Sequence, residues 1–567
     1  MEVEWDVGIA MDDGLVLRAD VFHADEPAPV ILSYGPYAKG LAFQEGYPDQ
    51  WRRMVEQHPD VAEGSSNLYQ NWEVVDPEKW VPAGYAVVRV DSRGAGRSPG
   101  YLDPFSPRET ADVYACIEWA AEQPWSSGKV GLNGISYYAI NQWQVASLQP
   151  PSLAAMCAWE GAADWYRDMT HHGGMVSTFF ANWFDMQVKT VQYGLGSRGA
   201  RSPVTGVNAC GDEELSEAEL AANRTDFGRA ILSHPFDDEY HRNRSANFEA
   251  IEVPLFSAAN WGGLGLHARG NFEGFYRSAS QNKWLEVHGI EHWTHFYTDY
   301  GRKLQREFFD HFLKGEDNGW DRRPPVLLQV RHVDRFEERT EDSWPIPRTQ
   351  FSHWYLHPDL SLRSNPSTAP AQLAFAALGD GLTFMTDPFP TETEFTGPGA
   401  VKLWISSSTV DADLFLILRL FDPAGDEVAF QGALDPHTPL SQGWLRASHR
   451  QLHPELTEPW RPYHVHRGRQ TLEPGRPYEL DIEMWPTSIV VPPGYRLGLS
   501  VRGRDYEYSG PSTDDAELST FKNRFTGCGP FLHDDPRDRP ADVFGGTTTV
   551  HLGPDTPAFW LAPVIPD

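Results

Sequence analysis

Lys129-Val-Gly-Leu-Asn133, Gly134-Ile-Ser-Tyr137 and Tyr138-Ala-Ile-Asn-Gln-Trp-Gln-Val-Ala-Ser147 follow one another without a break. The first piece reads as a short buried strand and the last as a helix that starts immediately after the serine. A strand, a sharp turn carrying Ser and then a helix is the setting in which G-x-S-x-G acts as a nucleophile elbow. The turn pushes the hydroxyl out of the sheet and aims backbone N–H groups at the oxygen of whatever it attacks. Here Tyr138 stands at the last Gly of that pattern, and a Gly-x-Ser match alone is a weak signal.

Working outward, Gly14–Phe22 and Pro29–Tyr34 are strand-like, and Tyr85-Ala-Val-Val-Arg-Val90 is a continuous apolar run suited to a parallel strand covered on both faces. Helical periodicity covers 108–122, ahead of the strand and serine turn. Strand, helix, strand, helix in alternation predicts a doubly wound α/β sheet. The alternation resumes at Leu153–Trp159 and pauses over 161–248, which is aromatic and polar with few strand signals. That stretch is expected to be a helical cap over the edge of the sheet where ligands bind. Sheet-like segments return at Val253–Ala258 and Lys283–Val287, followed by an amphipathic helix at about 299–315 and a linker-like Gly315–Pro325. Beyond it the period becomes two, in 401–406, 412–421 and 495–501, with Asp422-Pro-Ala-Gly425 and Pro492-Pro-Gly494 as turns. The expected organisation is an α/β-hydrolase core in two parts, 1–160 and 249–318, a helical cap over 161–248, and a jelly-roll-like β-sandwich over 326–567.

The 567 residues are 40% hydrophobic with 21 Trp, enough to bury large cores, and the net charge is −32. So acidic a surface argues against nucleic acid and would be repelled by anionic membrane. Cys116, Cys157, Cys210 and Cys528 show no C-x-x-C spacing, so neither a disulfide scaffold nor a thiolate zinc site is expected. Met1-Glu-Val-Glu-Trp5 does not resemble a signal segment, and no apolar run approaches the ~20 residues of a membrane helix. Cytoplasmic residence is the expectation. Gly94-x-Gly96 is no dinucleotide fingerprint, because Pro99 occupies the third glycine position.

In an α/β-hydrolase sheet the triad runs Ser, acid, His along the chain. A histidine should follow the last sheet strand, and Val287-His-Gly-Ile-Glu-His-Trp-Thr-His295 offers His288, His292 and His295. Ordinary loop histidines are the bland alternative. A metal held by His288 and His292 would need that spacing on a helix, whereas this segment reads as a loop.

With these motifs the chain resembles the cocaine-esterase / X-prolyl dipeptidyl-peptidase family of serine hydrolases over nearly its whole length. Asp13-Gly-Leu15 is similar to that family's first hairpin, Tyr34-Gly-Pro-Tyr37 to its oxyanion loop, and Asp91-Ser-Arg-Gly-Ala-Gly-Arg-Ser98 to its D-x-R-G-x-G-x-S turn. Gly134-Ile-Ser-Tyr137 matches its G-x-S-Y-x-G elbow, with Ala139 in place of the last Gly. The resemblance implies that Ser136 attacks a carbonyl carbon and forms an acyl-enzyme. It also implies an oxyanion hole made by the Tyr137 N–H and the Tyr37 phenol. Ungapped counting from Leu285–Val287 places His292 at the family's G-P-W-S-H histidine, and His295 is the alternative if Trp293-Thr-His295 is matched to W-S-H. The family's acid sits in a W-x-D turn, but here the turn reads Asn260-Trp-Gly-Gly263, and glycine cannot orient an imidazole. In this fold the acid can instead follow the preceding strand, which points to Glu160. Asp164, Glu273 and Glu291 are the alternatives, with helix capping or surface ion pairing as their plain roles.

The reading is a serine hydrolase with no cofactor and no metal, using Ser136, His292 and Glu160 on a small-molecule ester or amide. A carboxylesterase is favoured over an X-Pro dipeptidyl-peptidase or acylase, and a hydrolase scaffold that binds without turnover is a further alternative. A homo-oligomer is compatible with all of this. Trp159, Trp165, Tyr166, Phe179, Phe180, Trp183 and Phe184 either wall an apolar pocket or form the core of the cap.

Overall fold

The computed structural model describes residues 1–510 and 526–566. Among them, ten strands form one mixed sheet: β1 (Glu2–Ala10), β2 (Val16–His23), β3 (Ala28–Gly35), β4 (Ala86–Asp91), β5 (Ser126–Ile135), β6 (Leu153–Trp159), β9 (Leu255–Asn260), β10 (Lys283–His288), β11 (Val326–Arg331) and β12 (Phe336–Glu341). A small hairpin, β7 (His171–His172) with β8 (Met175–Val176), lies outside it. The order across the sheet is β1-β2-β4-β3-β5-β6-β9-β10-β11-β12, parallel from β4 to β11 and antiparallel at both edges.

Burial explains the pattern. β3, β4 and β9 are buried at every position, as parallel strands covered by helices on both faces must be. The helix Pro107–Ala121 starts where Ser106 caps it, with Pro107 at its first position. The amphipathic helix Asp299–Phe309 buries Leu304, Phe308 and Phe309 and widens into a π-helical turn at Asp310–Lys314. Gly315, at φ 75°, ends it in the left-handed region that glycine tolerates. β1 was not foreseen: its Glu2, Glu4 and Asp6 mark it as a charged sheet edge rather than an apolar run.

The sandwich boundary expected at 326 is corrected by the strand pairing. β11 and β12 extend the first sheet, because β11 pairs in parallel with β10. The chain then builds two antiparallel sheets around the long strands Thr393–Ser407 and Tyr478–Val491 on one side and Asp413–Phe421 and Arg496–Arg502 on the other. Along Asp413–Phe421, Leu414, Leu416, Leu418 and Leu420 enter the core between these sheets. Phe415 packs instead into a cluster with Trp261, Leu285 and Val287 of the first sheet region. Period-two alternation therefore fills the sandwich with one face and docks it with the other. The segment 161–248 carries short helices such as Phe179–Trp183, Phe227–Ser233 and Glu239–Arg242. Among the described residues no helix is long and apolar enough to cross a membrane.

Candidate active site

Ser136 closes β5 and opens the helix Tyr137–Ala146 at φ 55° and ψ −112°, a left-handed backbone that costs a non-glycine residue of order 1–3 kcal/mol. The turn is clamped on both sides. Ser136 N donates to the carbonyls of Trp159 and Glu160, each at 3.2 Å, and Ile135 N donates to the Glu73 carbonyl at 3.0 Å. Glycine is needed at 134, where a Cβ would lie 2.4 Å from the Tyr138 Cβ. At the last position of the elbow, the Ala139 methyl is accommodated because Gly161 faces it: a Cβ there would approach it to 2.5 Å.

The imidazole that meets the serine is His267, with Nε2 3.0 Å from Ser136 Oγ. His267 lies in the segment after β9 and immediately precedes the helix Ala268–Arg277. Burial, and then the neighbouring His292, pushes His267 well below the usual histidine range, so the ring is a neutral proton acceptor. His292, the base expected from the sequence, stacks under it at 5.2 Å between ring centroids and 12° between planes. Its nitrogens face carboxyl groups, Nε2 at 3.1 Å from Glu73 and Nδ1 at 3.7 Å from Glu160. His295 packs against His288 and His58.

Glu160 follows β6 in a left-handed bend at φ 47° and is wholly buried. One of its oxygens accepts from Asn260 Nδ2 at 3.1 Å and lies 2.8 Å from His288 Nε2. Its other oxygen has no hydrogen-bond partner. An oxygen of Glu160 and one nitrogen each of His267 and His292 lie within 4.8 Å of one another. The other candidate acids are engaged elsewhere. Asp164 caps the turn at Trp165 and pairs with Arg167, Glu273 pairs with Arg461, and Glu291 pairs with Arg53. Glu73, which the sequence did not single out, is held protonated by burial and by the Glu160 charge. Its acid hydrogen can then serve His292 Nε2.

Tyr37 reaches the same cavity. Its phenol oxygen accepts from Trp183 Nε1 at 3.0 Å, leaving the O–H free to donate. Burial keeps that phenol protonated. Tyr137 is the first residue of its helix, so its N–H has no intrahelical acceptor. The cavity holds about 610 Å3 of empty space, its open mouth included, and is lined by Ser136, His267, Tyr37, Tyr47 and Trp72 together with Phe105 and the cap residues Phe179, Phe180 and Trp183. Of the aromatics named from the sequence, Phe179, Phe180 and Trp183 line this cavity. Trp159, Trp165, Tyr166 and Phe184 are buried in the core. Leu434, from the second half of the chain, closes one wall.

Among the described residues, Glu160, His267 and His292 are also the one group of three side chains close enough to share an ion. The contact of His267 Nε2 with a serine hydroxyl favours a proton relay over a ligand set. His267 itself escaped the sequence reading. The signal available was a histidine four residues past Gly263, in the very loop where the acid was sought and found missing.

Residues 13–297 match the X-Pro dipeptidyl-peptidase (S15 family) model, and residues 318–559 match the X-Pro dipeptidyl-peptidase C-terminal non-catalytic domain. A solved CocE/NonD family hydrolase from Staphylococcus aureus is 30% identical, with a TM-score of 0.83 over 99% of this chain and 94% of that one. The cocaine esterase of Rhodococcus sp. (strain MB1 Bresler) is 25% identical over 649 residues, covering 99% of this chain and 98% of its own length. A putative serine esterase of Mycobacterium bovis is 26% identical over 512 residues, covering 75% of this chain and 79% of its own.

Proposed function

Because the chain belongs to the X-Pro dipeptidyl-peptidase (S15) family and is a serine hydrolase of the CocE/NonD type working through an acyl-enzyme, we propose that Ser136 is its nucleophile, His267 its general base and Glu160 the carboxylate behind them. The observation that carries this reading is the 3.0 Å contact between His267 Nε2 and Ser136 Oγ at the strained elbow. As Ser136 Oγ attacks the substrate carbonyl, its proton passes to His267 Nε2. The carbonyl oxygen becomes an oxyanion held by the Tyr137 N–H and the Tyr37 O–H. Collapse of this intermediate expels the alcohol, which takes the proton from His267. A water then repeats the sequence against the acyl-enzyme.

The imidazolium formed in each half-reaction needs a counter-charge. A Glu160 oxygen within 4.8 Å supplies it, worth about 3 kcal/mol at an effective dielectric constant near 20. His292, with Glu73 and Glu160 at its two nitrogens, packs beneath His267 and carries no proton to or from the serine.

The preferred substrate is an ester with an apolar or aryl acyl group. The aromatic lining of the cavity supports this, as do the esterase names of two relatives. Amide cleavage is the second reading, supported by the family's peptidase members.

The test is labelling with a fluorophosphonate and turnover of p-nitrophenyl benzoate beside Gly-Pro-p-nitroanilide. The wild type should be labelled at Ser136 and hydrolyse the ester faster. His267→Gln should lose both labelling and turnover, while His292→Gln should keep measurable labelling. Labelling that survives His267→Gln but not His292→Gln would transfer the base role to His292. Dialysis against a chelator should leave the rate unchanged; a loss restored by zinc would replace the relay with a metal centre.

A further inference from the structure

Behind Glu160 the structure carries an array that the reaction as drawn does not use. His288 ends β10, and Glu286 stands two residues earlier on the same face of that strand. His288 Nε2 lies 2.8 Å from Glu160 Oε1, and His288 Nδ1 lies 2.6 Å from Glu286 Oε2. The far oxygen of Glu286 accepts from the Tyr300 phenol at 2.9 Å. Glu160, His288 and Glu286 are all fully buried, and the Trp159 indole stacks on the His288 ring at 5.1 Å and 26°. The parallel pairing of β9 with β10 sets His288 opposite Asn260, whose amide holds the same Glu160 oxygen.

We propose that the buried pair His288 and Glu286 are positioning residues that hold Glu160 ionised and turned toward His267 and His292, taking the place of the aspartate that the turn at Gly263 lacks. This rests on the reading of Glu160 given above.

An ionised carboxylate only accepts hydrogen bonds, so a ring with a carboxylate oxygen at each nitrogen must carry a hydrogen on both. His288 is therefore an imidazolium. A wholly buried carboxylate without a cation would take up a proton rather than stay charged. One cation between two carboxylates leaves the row with a single net negative charge. With Glu286 anchored by Tyr300, that charge is available on the free Glu160 oxygen facing His292.

The electrostatics agree. Burial alone would lower the His288 pKa, yet Glu286 and Glu160 push it up to about 10. Burial raises Glu160, and His288 and Asn260 oppose the rise. Burial, and then the His288 charge, pushes His292 and His295 down to about 3, so both stay neutral. The groups facing His288 are thus Glu160 from the bend after β6, Glu286 from its own strand, and His292 and His295 from the following loop. Tyr300 stands beyond Glu286, and Cys157 of β6 feels the Glu286 charge.

The experiment measures kcat, KM and their pH profiles for the full-length enzyme and for E160Q, H288Q and E286Q, with circular dichroism to check folding. H288Q should lose about 10²–10⁴ in kcat at pH 7, the range set by removing an orienting acid, with KM changed less than threefold. Its rate should recover as pH rises, because Glu160 without its cation ionises only at higher pH. E286Q leaves the row without net negative charge and should lose at least tenfold in kcat, also with little change in KM. It serves alone if H288Q does not fold. A folded H288Q or E286Q with the wild-type pH profile overturns the proposal, as does a loss that is equal at every pH. If E160Q is as active as wild type, the Glu160 assignment fails and this inference with it. If E160Q is impaired while the other two variants are not, only this inference fails.

Discussion

At Ser136 and Tyr37 the chemistry depends on which hydrogens remain free to donate. Tyr37 accepts from Trp183, so its O–H is unspent, and it edges the Tyr137 ring at 6.0 Å between centroids beside the elbow. Tyr37→Phe keeps the ring and removes only the donor. The expected outcome is a kcat lower by about 10²–10³ with the unfolding transition nearly unmoved, measured by steady-state ester hydrolysis and thermal melting. A loss below threefold would make Tyr37 a packing residue. The residue scale also shows where a sequence stops informing. Ser136 and Glu160 stand at strand ends, and the strands are legible from their apolar runs. Choosing between His267 and His292 is a different problem, because distance from a strand end places a Cα and not a ring. The loop 261–267 is turned by a close approach to the second half of the chain, where a Cβ on Gly262 would lie 2.3 Å from Gly432 Cα. His292 N donates to the Ala433 carbonyl of the same stretch.

The elbow helix and the bend after β6 are fitted to each other as elements. Ala139 takes the place of a glycine, and Gly161 returns the space. In Gly161→Ala the new methyl would sit 2.5 Å from the Ala139 Cβ and 3.0 Å from its carbonyl carbon. The helix Tyr137–Ala146 would have to shift, at a cost of about 1–3 kcal/mol. Urea unfolding should show that loss and ester turnover should fall with it. The double variant Ala139→Gly with Gly161→Ala should regain part of both, since one of the two clashes is removed. A stable, fully active Gly161→Ala would show that the elbow tolerates the crowding. Elements with continuous apolar runs, such as β4 and β6, were legible from sequence; β1 was not, because an edge strand with Glu2, Glu4 and Trp5 exposed and Asp6 among them shows no apolar run. β11 is apolar enough to be read as a strand, yet nothing local says which sheet it joins.

Across the whole molecule, the inserted segment meets the sandwich through a belt of buried histidines. His171 stacks on Tyr166, His172 meets His533 and Trp444, and His449 meets His466. Arg167, Arg269 and Arg446 lie among them, with Asp168 and Asp238 nearby. Burial pushes His241 down to about 4, and His172, His449 and His464 to about 3. An unfolded histidine titrates near 6.5, so below that pH the unfolded chain binds more protons and stability falls toward the folded values. Buried acids with raised pKa, such as Asp91 at about 7 and Glu109 at about 8, act in the opposite sense and offset part of the loss. His464→Gln removes one buried histidine. Its stability in urea should therefore fall less steeply between pH 6.5 and 4.5, the slopes differing by up to about 1.4 kcal/mol per pH unit. Parallel slopes would show that His464 titrates normally in the folded protein. Short windows of sequence carried the α/β alternation and the serine turn, and they showed a glycine at 263 where the resembling family has its acid. What only the tertiary structure decided was which histidine touches Ser136, which sheet receives β11 and β12, and how Glu160, His288 and Glu286 line up. Those depend on side-chain directions and on pairings between separate segments, such as Ser136 with His267, Glu160 with His288 and β10 with β11, and hydrophobic periodicity records neither.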